Sequence, residues 1–122
     1  MTVVIASKTR YSGTVTPSAL NTETIVVDIG AQGDDYIVEG WIDLSALQSG
    51  DTVVVCEYVA VDGVNLRRYA CVTYSGVQSD PVIRFHSKQL LGNMLYRVTV
   101  TQTAGVLRSF PYGFLLEVLG SV

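Results

Sequence analysis

Apolar and polar residues alternate with a period of two along most of this chain, the pattern of strands with one buried face. From Thr22 to Ile29, Glu23, Ile25, Val27 and Ile29 share one face while Thr22, Thr24 and Asp28 take the other. Tyr36, Val38, Ile42 and Leu44 mark the core face of the next segment, leaving Ile37, Glu39, Trp41 and Asp43 outward. Met94, Tyr96, Val98 and Val100 alternate against Arg97, Thr99 and Thr101. Phe110, Tyr112, Phe114, Leu116 and Val118 form another row, where Pro111 points to an edge strand or a bulge. Val3 to Ser7 and Val82 to His86 add two short strands, and Asp51 to Val61 with Leu66 to Tyr74 read as a hairpin. Leu44 to Leu47 and Ser87 to Leu91 read as single helical turns. Turn signals lie at Gly30 to Asp35, Gln48 to Gly50, Ser75 to Pro81 and Ala104-Gly105.

Eight short strands at this spacing predict an all-β fold, a two-sheet antiparallel sandwich with a jelly roll favoured over an immunoglobulin-like order and an open barrel third. Cys56 and Cys71 are too close together for the usual immunoglobulin inter-sheet bridge. At 122 residues the chain is long enough for one domain with its own core. Residues 17–122 are expected to form it, and residues 1–16, poor in core-type side chains after Ile5, are expected to extend as an N-terminal arm. Composition agrees with a folded β protein: Val, Ile and Thr supply about three residues in ten, and charged residues only 16%. A net charge of −3 argues against a nucleic-acid partner. The first residues lack the basic start and long apolar run of a signal peptide. No apolar stretch is long enough to cross a bilayer as a helix. These features fit a soluble chain made in a cytoplasm.

The hairpin carries the most information. A four-residue loop, Asp62-Gly63-Val64-Asn65, pairs Val61 with Leu66 and sets Cys56 opposite Cys71. One face then holds Val53, Val55, Val59, Val61, Leu66 and Val72 and belongs to the core. The other holds Val54, Cys56, Tyr58 and Ala60 against Tyr69, Cys71 and Thr73. That second face should meet water yet is mostly apolar, a patch of order several hundred Å2 that a soluble monomer seldom exposes. Another subunit, a partner or a ligand is expected to cover it. Trp41 adds an outward aromatic of the kind that anchors interfaces. The candidate interface is therefore Val54, Cys56, Tyr58, Tyr69, Cys71 and Trp41.

Candidate chemistry is sparse. Cys56 and Cys71 are expected as free thiols in a reducing cytoplasm, with a cross-strand disulfide as the alternative. No further ligands accompany them for zinc. The single histidine, His86, has no nucleophile that spacing links to it. Asp34-Asp35 falls short of a calcium shell and reads as turn residues. Glu39 and Asp43 flank Trp41 as in a sugar platform, but about 13 Å of strand separates them, too far for paired glycosidase carboxylates. Arg67-Arg68 reads as protection of a sheet edge. Phosphate loops, zinc-protease motifs and nucleophile elbows are absent from the sequence. The expectation is a protein with no catalytic residue, no cofactor and no metal.

Several phrases belong together: Asp43-Leu44-Ser45 leading to Ser49-Gly50-Asp51-Thr52-Val53, Tyr74-Ser75-Gly76-Val77-Gln78, Val100 to Gly105, and Arg108-Ser109-Phe110-Pro111. In these the chain resembles small β-sandwich proteins of archaeal and viral genomes and, more loosely, the jelly-roll proteins that build or decorate virus particles. The resemblance carries no functional residue over. It implies a structural subunit that assembles with itself or decorates and cements a larger shell, located in a virion. The alternatives are a carbohydrate- or receptor-binding module of a tail fibre or adhesin, at a cell surface, and a filament subunit joined by strand exchange.

Overall fold

The computed structural model describes residues 2–122, which fold into eight strands and no helix. They are β1 (Val3–Val15), β2 (Thr24–Ile29), β3 (Tyr36–Asp43), β4 (Thr52–Ala60), β5 (Arg67–Ser75), β6 (Val82–Leu90), β7 (Leu95–Ala104) and β8 (Phe110–Ser121). Two four-stranded antiparallel sheets result, in the orders β1-β8-β3-β6 and β2-β7-β4-β5. Only β4 and β5 follow one another within a sheet, and every other connection except that one crosses between layers, which is the jelly-roll arrangement. The inward rows of both sheets form one core in which Tyr36, Ile42, Tyr96, Phe110 and Leu116 are fully or almost fully buried.

Several elements differ from the expectation. Val3–Val15 is one long strand paired with β8 along its whole length, yet of its residues only Val15 is buried. A strand so exposed on both faces has no alternation to reveal it. Ser87 to Leu90 continue β6 and make no helical turn. Pro111 lies in β8, an interior strand, where the missing N–H is tolerated because pairing with β3 ends at Tyr112. In β2 a register shift falls between Ile25 and Val27, so Val27 and Ile29 are buried while Ile25 turns to solvent. Leu47 N–H does donate to Leu44 O at 3.1 Å, closing the expected single turn.

At the end of the sandwich that holds the β3–β4 and β7–β8 loops, the buried Asp51 acts as a clamp. Its carboxylate accepts hydrogen bonds from Arg108 Nε at 2.7 Å, Gln48 N–H at 2.9 Å and Val106 N–H at 3.0 Å. Arg108 first, then the Gln48 amide, hold the Asp51 carboxyl below its ordinary value of 3.8. A depressed carboxyl stabilises the fold above its unfolded value, and that contribution disappears as pH falls through the folded value. Wild-type stability in urea should therefore drop on acidification below about pH 4. Asp51→Asn should be less stable at neutral pH and show a smaller drop over the same acid range. Parallel pH profiles for the two proteins would refute the clamp.

Candidate functional site

The two edge strands β5 and β6 lie on the same lateral side of the sandwich, one in each sheet. None of the described residues covers the gap between them. Inward side chains at this side therefore remain partly open to water. Val72, opposite Val55 on the inner row, is 51% exposed, and Val61, in the turn just after β4, is 72% exposed. Both were expected in the core. The alternation identifies the inward face correctly, but β5 is the last strand of its sheet and has no strand of the other sheet packed over it.

A groove of about 700 Å3 opens here, lined by Val59, Val61, Leu90, Met94 and Tyr69 with Arg67 and Lys88 at its rim. A smaller cavity continues along the same gap between Val72, Tyr74, Ile83 and Phe85. Between the two stands a polar bridge that joins the sheets. Glu57 lies on the inner row of β4 and accepts hydrogen bonds on one oxygen from Tyr96 Oη at 2.6 Å and from Tyr69 Oη. Lys88 Nζ of β6 sits 3.3 Å from the same oxygen, over the Tyr96 ring, and also donates to His86 O at 2.7 Å. Burial, reinforced by the Glu57 carboxylate, pushes the Tyr69 and Tyr96 hydroxyls well above the usual tyrosine range, so both stay protonated donors. This bridge escaped the sequence reading, although one signal was present: Glu57 stands in the odd-numbered row of Val53, Val55 and Val59.

Of the six interface candidates, the structure brings Val54, Cys56, Tyr58 and Cys71 together on the outer face of β4 and β5, with Cys56 opposite Cys71. The expected register of Val61 with Leu66 is not kept at the hairpin end, where Tyr58 pairs with Arg68 and Val59 with Arg67, and one extra residue in β5 restores the cysteine pairing. The two cysteines form a disulfide across the strands, Cα atoms 4.1 Å apart, in place of the expected free thiols. Close antiparallel neighbours on one face need no backbone movement to join. Tyr69 leaves that face. A register shift at Glu57/Tyr58 makes it the extra residue of β5, and it swings toward Glu57 and the groove. The outer face is also more polar than expected, because its neighbours on β7 are Arg97, Thr99 and Thr101. Glu23 accepts hydrogen bonds there from Tyr58 Oη and from Thr99 Oγ1 at 2.7 Å. The Tyr58 bond is the main cause holding the Glu23 carboxyl below its ordinary value.

Trp41 lies on the other sheet, apart from the remaining five. It is 49% exposed on the outer face of β3, with the Arg84 guanidinium 5.3 Å from its ring centre. Arg84 Nη2 also lies 3.7 Å from Glu39 Oε2. His86 meets no nucleophile, and no group of three or more His, Cys, Asp or Glu suited to a metal occurs among the described residues. No described helix is long and apolar enough to cross a membrane.

No protein-family model and no curated protein matches this sequence. Solved structures that share the fold include two chains of different origin. One is a chain from Bacillus endospore appendages, described as a novel family of disulfide-linked pili, with a TM-score of 0.53 and 15% identity over 96% of this chain and 88% of that one. The other is a chain from infectious bursal disease virus, Gt strain, with a TM-score of 0.52 and 13% identity over 96% of this chain. The present chain spans only 33% of that viral chain. At these identities the likeness is one of fold alone.

Proposed function

We propose that this protein is a non-enzymatic structural subunit that assembles with copies of itself, the next copy covering the open side between β5 and β6. The observation that carries the reading is the groove itself, apolar inside and flanked by two strands whose outer backbone groups have no partner. Such edges pair readily with another chain. The opposite side is different, bounded by β1 and β2, so a contact from one side to the other is head-to-tail. Head-to-tail contacts close into rings or run on as filaments. The fold shared with a chain of disulfide-linked pili favours a filament as the form of that assembly. Decoration or cementing of a larger virion shell is the variant in which the same groove meets a different protein. The N-terminal arm expected from residues 1–16 enters this reading as β1, an edge strand of which only Val15 is buried. A disulfide facing solvent suits a virion or an extracellular fibre better than a reducing cytoplasm.

The experiment is solution mass by light scattering at low micromolar protein. Val61→Asp and Val72→Asp place a charge in the gap at positions already exposed, so the fold should survive. The wild type is expected as a discrete oligomer or a polymer and both variants as monomers. A monomeric wild type would refute self-assembly, and variants assembling as the wild type does would remove the groove from the interface.

A further inference from the structure

The outer face of the sheet β1-β8-β3-β6 holds a second concavity, separate from the groove. Strand register puts Ser12, Gly113, Trp41 and Arg84 in one row across the four strands. Arg10, Leu115 and Glu39 form the neighbouring row. Gly113 contributes no side chain, and a Cβ built there would meet nothing within 4 Å. Its place in the row is a gap, with the Trp41 indole as one wall, Ser12 as the other, and Arg10 and Glu39 at one end. The trough measures about 480 Å3, within the range of small-molecule sites. Arg84 stacks against the indole and pairs with Glu39, which fixes both orientations. Arg10 has no ion-pair partner among the described residues.

We propose that this trough binds a pyranose sugar bearing a carboxylate, of the sialic or uronic acid class. The indole offers a flat apolar face on which the C–H side of a sugar ring stacks, while Glu39 accepts and Ser12 exchanges hydrogen bonds with ring hydroxyls. Those features suit any sugar. The acidic class follows from Arg10, whose free guanidinium fork matches a carboxylate with two parallel hydrogen bonds. Charge complementarity agrees: Arg84 balances Glu39, so the remaining charge in the trough is the positive one of Arg10.

The test is titration of the intact protein with the methyl glycosides of N-acetylneuraminic acid and glucuronic acid, and with methyl glucoside as the neutral control. Binding is followed through the Trp41 indole N–H in two-dimensional NMR spectra. The acidic glycosides should shift that signal at millimolar concentration, roughly tenfold more tightly than the neutral one. Arg10→Ala should erase the tenfold preference. Gly113→Leu should fill the gap and abolish binding of all three while leaving the melting temperature close to wild type, since the added side chain meets open space. No shift with any sugar, equal affinity for neutral and acidic sugars, or undiminished binding by Gly113→Leu would overturn the proposal. So would indole shifts that depend on protein concentration alone, because the trough would then be a contact between copies.

Discussion

Adding a single methyl group in Gly40→Ala should destabilise the fold by about 3 kcal/mol, at the upper end of what overpacking a core usually costs. Gly40 lies in the middle of β3 on the inward row, opposite Phe114 of β8 and Phe85 of β6. The Phe114 ring fills the space above it: a Cβ at residue 40 would lie 2.2 Å from Cδ2 and 2.4 Å from Cγ. Phe114 cannot simply turn aside, because it is 3% exposed and packs against Phe85 with ring centres 5.2 Å apart. Either the ring or the β3 backbone must move, and β3 is hydrogen-bonded on both sides. A loss of this size lowers the melting temperature by on the order of 10 °C for a domain of this length. Phe114→Leu in the same chain should recover part of the loss, so the double variant should be about 1 kcal/mol more stable than the two single effects predict. Strict additivity would show that the ring is not what the methyl group meets.

Part of the fold was legible in the sequence and part was not. Alternation locates strands whose two faces differ, and it found β3, β4, β7 and β8 with their inward rows. It placed Cys56 opposite Cys71 on the premise of an even loop, whereas the hairpin end runs one residue out of that register and the extra residue Tyr69 makes up the difference. It is blind to an inserted residue, so the shifts at Val26 and Tyr69 passed unseen, and with them the outward turn of Ile25 and the swing of Tyr69 into the groove. It is equally blind to which strand ends a sheet. Val72 belongs to the inward row, yet its exposure depends on β5 and β6 both being edges, a property of the strand order, and Val61 falls in the turn beyond β4. Lys88 looked like part of a helical turn because its partners, Glu57 and Tyr96, are remote in sequence and come from the facing sheet. The Trp41 trough has the same origin. Its gap is the absence of a side chain at Gly113, which means something only once β8 is known to lie beside β3.

Loss of the Cys56–Cys71 disulfide should remove about 3 kcal/mol of stability, the chain-entropy value for a loop of this length. The bond spans a sequence separation of 15 and holds the edge strand β5 to β4, its one partner strand among the described residues. Cys56 is 6% exposed while Cys71 faces solvent, so a reductant reaches the bond from the β5 side. Cys56→Ala/Cys71→Ala in the absence of reductant should match the reduced wild type in its urea midpoint, which separates the loss of the crosslink from side effects of the reagent. Because β5 forms one bank of the groove, its loosening should also reach assembly. Both the reduced protein and the double variant should scatter light as smaller particles than the oxidised wild type at the same concentration. A reduced protein that keeps both its midpoint and its mass would mean that pairing with β4 alone suffices to hold β5 in place. If stability falls and mass does not, the crosslink serves the fold, and the contact between copies must be sought away from the β5 bank.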